Sequence, residues 1–114
     1  MLNEGNMSAY FNLIYKILKI LRDNMELERF DVNQLSHDSL NISYPLWCRI
    51  MAMLNEEGYI KGIQVWNSFD TQHPKVALTR IEITLRGLEY LEENSLMRKA
   101  ANLAKGIKES TPFF

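Results

Sequence analysis

Residues 43–84 decide the fold, and they read SYPLWCRIMAMLNEEGYIKGIQVWNSFDTQHPKVALTRIEIT. The first third of this stretch has apolar residues at the i+3 and i+4 spacing of an amphipathic helix. Ser43 or Tyr44 can cap its N-terminus, and Pro45 falls in the first turn, where a missing N–H costs nothing. Gly58 can end it, so we predict a helix that runs to about residue 57.

Two strand-like runs follow this helix, over residues 59–66 and 76–84. In the second run Ile81, Ile83 and Leu85 alternate with polar residues, which is typical of a half-buried strand. The loop between the runs contains Asp70 and Pro74, so we expect a β-hairpin with a long tip.

Working outward, residues 7–25 carry an apolar stripe of about five helical turns. Phe30 to Val32 is compatible with a short extended segment, and Asn33 is placed to cap a short second helix through residues 35–40. After the hairpin, Thr84 is placed to cap a fourth helix over residues 85–94, and Ser95 a fifth with a stripe of Leu96, Ala100, Leu103 and Ile107.

This order of elements predicts an α+β fold, mostly α: a winged helix-turn-helix with a β-hairpin wing and an extra C-terminal helix. We expect a flexible leader over residues 1–6, a single domain over 7–109 and a loose tail over 110–114. The length of 114 residues suits one domain.

Composition narrows the class of protein. The chain is 46% hydrophobic and 24% charged, as in ordinary globular domains, and its formal net charge is −1. It contains one cysteine, which fits a reducing compartment, and it shows neither a secretory signal nor an apolar run that would span a bilayer. These features predict a cytoplasmic protein without a membrane partner.

Two motifs carry a family resemblance. Residues 54–60 read LNEEGYI, which is typical of the end of a recognition helix that leads into a wing. Residues 83–94 read ITLRGLEYLEEN, which is typical of the start of the helix after the wing. Together with the flanking helices, they make the chain resemble the YjcQ-like family of small winged-helix proteins from Gram-positive bacteria and phages, over roughly residues 7–109. The resemblance implies a winged-helix domain that inherits DNA binding as its expected function, and it implies no catalytic residue, metal or cofactor. The chain departs from it in a longer, more apolar hairpin tip.

The recognition helix would be the predicted helix that ends at about residue 57. Its outward residues would be Tyr44, Pro45, Cys48, Arg49, Ala52 and Met53, and its core residues Trp47, Ile50, Met51 and Leu54. Arg49 is its only cation, whereas base edges are usually read by Arg, Lys, Asn or Gln. Wings commonly contact the DNA backbone, and this hairpin supplies further cations and a histidine. The DNA-binding candidates are therefore Tyr44, Arg49, Lys61, His73, Lys75 and Arg80.

A protein interface is the alternative. Met53, Trp66 and Phe69 are its candidates if they are exposed, although burial preferences favour the two aromatic residues as a satellite of the core. Residues 26–42, which precede the recognition helix, contain four carboxylates and one cation, Arg29. This excess of negative charge disfavours contact with phosphates.

Catalysis and metal binding are the functions with the least support. His37, Asp38 and Cys48 are the one set that resembles a nucleophilic site, but no oxyanion-hole motif or glycine-rich loop accompanies them. The histidines are isolated, and there is no second cysteine to complete a metal site. We therefore expect a non-enzyme without cofactors, whose partner is double-stranded DNA or, alternatively, a protein or a second copy of itself.

Overall fold

The computed structural model describes the backbone of residues 3–104 and the side chains of residues 9–96. Its elements, in chain order, are α1 (Asn3–Asp23), a 3-10 turn (Val32–Leu35), α2 (Tyr44–Glu56), β1 (Ile60–Lys61), β2 (Gln64–Trp66), β3 (Lys75–Ala77), β4 (Glu82–Ile83) and α3 (Leu85–Ala104). The fold is α+β, about half helical, with a winged-helix-like layout.

Helix α1 forms where the apolar stripe predicts it, but it begins earlier. It starts at Asn3 and so includes residues 3–6 of the expected leader, and it ends at Asp23, two residues before the predicted end. The expected tail, residues 110–114, lies outside the described residues. Leu13, Ile17, Leu18 and Leu21 form the buried side of α1, as their spacing requires.

The predicted second helix is only a 3-10 turn. Asp31, not Asn33, caps it: the Asp31 carboxylate accepts the Asn33 N–H at 3.1 Å. Residues 30 and 31 form no strand. The turn is anchored by burial of Leu35, so packing rather than helical length holds this segment.

Helix α2 has the predicted bounds and caps. The Ser43 hydroxyl accepts the Leu46 N–H at 3.3 Å, and Gly58 leaves the helix with a φ of 82°. The predicted core residues Trp47, Ile50, Met51 and Leu54 are all buried. Cys48 was expected on the outer face, and this is wrong: it is fully buried, because α2 is covered on two sides.

The hairpin is present but divided into two short ladders. At its base β1 pairs with β4, and further out β2 pairs with β3, both antiparallel. Gly62 separates them with a φ of 83°, and its carbonyl accepts the Arg80 N–H at 2.8 Å. An added Cβ at Gly62 would overlap the Arg80 carbonyl, so this bend depends on glycine.

Helix α3 is continuous where two helices were predicted. Thr84 caps it as expected, with its hydroxyl accepting the Gly87 N–H at 3.1 Å, but Ser95 lies inside the helix. Leu85 was predicted to share the buried face of Ile81 and Ile83; it is exposed instead, because the chain turns into α3 at that residue.

One core joins these elements. It is closed by α1 and α2, by the base of the hairpin and by the first half of α3, which contributes Leu91. Its fully buried side chains come from every layer: Ile17, Leu18, Leu35, Cys48, Met51, Ile60 and Leu91.

Candidate binding surface

The outer face of α2 is exposed at Tyr44, Pro45, Arg49 and Met53. Arg49 makes no ion pair within the part of the chain that the structure describes. Its guanidinium is therefore available to a phosphate or a base edge, as the sequence suggested. Glu56 and Glu57 are exposed at the other end of the helix, so the positive charge is confined to its middle.

The hairpin tip reaches back to the start of α2. The ring of Tyr44 meets the edges of two histidines, His37 and His73, with ring centroids 5.5 Å apart in both cases. The same ring stacks on Trp47 at 5.8 Å. The N-terminal end of α2, which usually probes the groove, is thus partly occupied by the protein's own aromatic cluster. Sequence reasoning selected Tyr44 and His73 but had no signal for their contact, which joins residues 29 positions apart.

Tyr44 is also linked to Cys48, one turn further along α2. A hydrogen bond between the Tyr44 side chain and Cys48, followed by partial burial and the charge of Cys48, raises the pKa of the Tyr44 phenol above its ordinary value. Cys48 itself is fully buried, so its thiol is held inside the fold rather than presented to a substrate.

His37 and Asp38, the other two members of the set considered for catalysis, lie in the turn before α2. The Nδ1 of His37 is 3.3 Å from the Ile42 carbonyl and 3.5 Å from the Asp38 carboxylate. Together with the Tyr44 contact, these distances give His37 a role in packing the turn against the helix.

The hairpin cations differ in their availability. Lys61 pairs with Glu82 at 3.8 Å, and the Lys75 ammonium lies 3.7 Å from the Asp70 carboxylate. Arg80 is exposed without an ion pair among the described residues. Ion pairs near the surface stabilise a fold by about 0–1 kcal/mol, so a phosphate can replace the carboxylate partner of such a lysine at little cost in free energy.

Asp70 is held as a carboxylate at the hairpin tip. The Ser68 hydroxyl donates a hydrogen bond to it, and this bond is the main cause of a pKa below the ordinary value for an aspartic acid. Lys75 acts in the same direction. A fixed negative charge therefore lies beside Phe69, on the part of the wing that would approach a duplex.

The apolar candidates are exposed. Phe69 is fully exposed, Trp66 is 48% exposed and Met53 is 50% exposed. The expectation that Trp66 and Phe69 fold back as a satellite of the core is therefore wrong: β2 faces solvent along its whole length, and only Val76 on β3 is buried.

Charge over the helix and wing is balanced. Residues 43–84 contain four cations, Arg49, Lys61, Lys75 and Arg80, and four carboxylates, Glu56, Glu57, Asp70 and Glu82. The surface that a winged helix usually presents to DNA has no excess positive charge here, so sequence-independent attraction to phosphates is small.

The two sequence motifs meet at the base of the wing. The Thr84 hydroxyl donates to the Gly58 carbonyl at 2.5 Å, and the Thr84 N–H donates to the Tyr59 carbonyl at 3.1 Å. The Arg86 Nε donates to the Glu57 carbonyl at 3.1 Å, and its guanidinium lies 5.3 Å from the centre of the Tyr59 ring.

This junction was not recognised from the sequence as a contact, although its residues were quoted there as motifs. Its bonds run from one motif to the other, and they hold the wing against the start of α3. The residues of the two motifs therefore close the fold at the base of the wing.

The structure offers no metal site within residues that it describes: no group of three His, Cys, Asp or Glu side chains converges there. None of the helices, as far as they are described, is both long and apolar enough to cross a bilayer.

Comparison with known proteins gives one finding. A family model, described as YjcQ protein, matches residues 15–110, which includes both motifs and all of α2 and the hairpin. Searches of curated proteins and of solved structures found no match.

Proposed function

The chain belongs to the YjcQ family, and from this membership and the winged-helix-like layout we propose that it binds double-stranded DNA as a small regulator-type protein. In this proposal α2 faces the major groove and the hairpin lies on the backbone beside it. The role is non-enzymatic and requires no cofactor.

The observation that carries the proposal is a pair of exposed arginines, Arg49 on α2 and Arg80 in the hairpin, that have no acidic partner within the described part of the chain. An unpaired guanidinium can bind guanine or phosphate in a bidentate manner, which makes arginine the commonest specific reader of DNA. Lys61 and Lys75 add two weaker contacts, since each ammonium already lies near a carboxylate, that of Glu82 for Lys61 and that of Asp70 for the half-buried Lys75.

The balanced charge sets the expected strength of binding. With four cations at most in contact with phosphates, the slope of log K against log salt is no steeper than about −4 for one copy, since each neutralised phosphate contributes about −0.9. We therefore expect weak binding to random duplex and dependence on a specific site or on a second copy.

The test is fluorescence anisotropy with labelled duplexes at about 50 mM salt, where non-specific binding is strongest. Arg49→Glu should lower affinity at least tenfold. Arg29→Glu is the matched control, because Arg29 is also exposed and makes no ion pair among the residues that the structure describes, but lies before α2; this variant should bind as the wild type does. No anisotropy change with about 100 µM protein, or an equal loss in the two variants, would refute the proposal.

A second candidate function is favoured by a different observation, the full exposure of Phe69 beside the half-exposed Trp66. Large aromatic side chains in contact with solvent are typical centres of protein interfaces. In this view the wing tip and Met53 bind a protein partner, and Arg49 is not needed.

Two variants separate these functions. A protein partner that binds the wild type and Arg49→Glu equally, but is lost with Phe69→Ser, would support the interaction module. Under the DNA proposal Phe69→Ser retains most duplex affinity, whereas Arg49→Glu loses it.

A further inference from the structure

The outer edge of β4 is an unpaired strand edge that borders a groove. As far as the chain is described, the sheet at the base of the wing has two strands, so β4 is paired with β1 on one side and with no strand on the other. A groove of about 560 Å³ lies on that other side. One of its walls is the end of α1 with the segment that follows it to Val32, and the other is residues 79–83. Neither function above uses this edge.

The backbone of β4 directs donors and acceptors into the groove. The N–H groups of Arg80 and Thr84 both donate to carbonyls on the β1 side. Because the direction of hydrogen bonding alternates along an antiparallel strand, the N–H and C=O groups of Ile81 and Ile83 point to the opposite side, where the groove is. No other described residue forms a hydrogen bond with them there.

The segment across the groove does not pair with this edge. Phe30 and Asp31 form no strand, and the backbone hydrogen bonds of residues 24–36 outside regular helix connect them to residues 21–33 of the same segment. Met25 and Leu27 on this wall are both more than half exposed. The groove therefore occupies the place where a third strand would lie, with an open backbone edge on one wall and apolar side chains on the other.

The two walls specify the chemistry of an occupant. An open strand edge is satisfied by amide donors and acceptors at the spacing of a strand, which is the chemistry of an extended peptide. A second copy of the chain is a poorer fit, because its own β4 edge would arrive together with its own residues 21–32. A single extended segment can enter between the walls.

The pleat of β4 predicts the pattern of that segment. The side chains of Ile81 and Ile83 are buried, so the residues paired with them would direct their side chains to the same, core-facing side. Those two residues would be apolar. The residue between them would lie beside Glu82, which is exposed.

Charge in the groove favours a basic residue at that central position. The groove is lined by two carboxylates, those of Glu28 and Glu82, and by one cation, Arg80. Glu28 is exposed and makes no ion pair among the residues that the structure describes. Glu82 lies 3.8 Å from Lys61 in a solvent-exposed pair, which leaves its carboxylate able to bind a second cation on the groove side.

We propose that the outer edge of β4 binds an extended segment of a partner protein as an added antiparallel strand, with the pattern apolar, basic, apolar. The two apolar side chains enter the groove against Met25 and Leu27, and the basic one pairs with Glu82. This inference does not depend on DNA binding, and it concerns a different surface from the aromatic wing tip.

The probe is a capped peptide, acetyl-TSVKVST-amide, added to the isotopically labelled full chain and followed by NMR. The contact involves few residues, so we expect a dissociation constant on the order of 0.1–1 mM and shifts centred on residues 81–83. The matched control is acetyl-TVSKSVT-amide, which has the same composition but carries valines and lysine on one side of the strand. It should bind at least tenfold more weakly. No binding of the first peptide up to about 3 mM, or equal binding of the two, would overturn the proposal.

Methylation of peptide nitrogens tests main-chain pairing. In the proposed register the N–H groups of both valines point to β4, whereas that of the lysine points away. Methylating the two valine nitrogens should weaken binding at least tenfold, and methylating the lysine nitrogen should weaken it much less. Binding should also slow hydrogen exchange at the Ile81 and Ile83 amides. Equal effects of the two methylations, or unchanged exchange, would show that the backbone edge is not used.

Charge reversal tests the central pair. Glu82→Lys should bind acetyl-TSVKVST-amide at least fivefold more weakly and should prefer acetyl-TSVEVST-amide, because the sign of the cross-strand pair is exchanged. Glu56→Lys is the matched control, since Glu56 is also exposed but lies at the end of α2. It should keep the preference of the wild type. The same reversal of preference in both variants would contradict the assignment.

Hydrogen exchange without peptide distinguishes the other occupants. The Ile81 and Ile83 amides should exchange fast at every protein concentration if the edge is open. Protection that rises with concentration would identify a second copy as the occupant. Protection independent of concentration would identify a segment of the same chain, and either result would overturn the proposal.

Discussion

At the scale of single residues, Gly87 shows how a close approach constrains the sequence. It is buried inside α3, and a Cβ at this position would lie 2.5 Å from the Tyr59 carbonyl oxygen and 2.5 Å from Ile83 Cγ1. The backbone carbonyl cannot move away without breaking its bond from the Thr84 N–H. Glycine is therefore required by packing, although in an exposed helix alanine is the better residue by about 1 kcal/mol.

We predict that Gly87→Ala destabilises the fold by about 1–3 kcal/mol, the usual cost of overpacking. Urea denaturation monitored by circular dichroism measures the free energy of unfolding. Gly58→Ala is the comparison: its Cβ would meet only the Arg86 side chain at 3.7 Å, so we expect only the cost of its positive φ, about 1 kcal/mol. A stabilised Gly87→Ala variant would contradict this account.

At the scale of elements, the 3-10 turn and α2 depend on one buried hydrogen bond. The Trp47 Nε1–H donates to the Leu35 carbonyl at 2.7 Å, with both residues buried. This bond fixes the turn against the helix, and it lets a segment too short for an α-helix hold its place in the core. Trp47 therefore fixes the position of the 3-10 turn, which lies within the acidic segment of residues 26–42.

Trp47→Phe should lower the free energy of unfolding by about 1–3 kcal/mol, because the Leu35 carbonyl is left buried without a donor. Thermal unfolding measures the change. The same substitution at Trp66, on the exposed strand β2, should alter stability by less than about 0.5 kcal/mol. Equal effects at the two sites would show that the hydrogen bond is not what matters.

At the scale of the whole molecule, the wing is less firmly held than the rest. The outer ladder of β2 and β3 has Val76 as its one buried residue, whereas the inner ladder contributes Ile60 and Ile83 to the core. The outer ladder also meets α2, through Val76, which belongs to the core, and through the ring contact between His73 and Tyr44. A ladder that buries so few side chains can open locally while the core stays folded.

Hydrogen exchange tests this difference. Amides of the β2–β3 ladder should exchange through local opening, much faster than those at Leu18 in α1 and Met51 in α2, whose protection should approach that of global unfolding. Exchange of the outer ladder at the rate of the two helices would show that wing and core unfold together.

Local signals in the sequence were sufficient for α1, α2, the cap at Thr84 and the existence of the hairpin, and they narrowed the cap of α2 to Ser43 or Tyr44, of which the structure uses Ser43. These features follow from apolar periodicity and from side chains that bind neighbouring backbone groups, so they are written within a few residues of each element. The same signals identified four inward residues of α2, since these lie on its widest apolar side, but they missed Cys48.

What only the tertiary structure decided is which surfaces remain exposed. The burial of Cys48, the exposure of Phe69 and Leu96 and the contact between Tyr44 and His73 all depend on which distant element packs against each residue. A single sequence contains the preference of a side chain for burial, but the partner that satisfies this preference is brought close only when the chain folds.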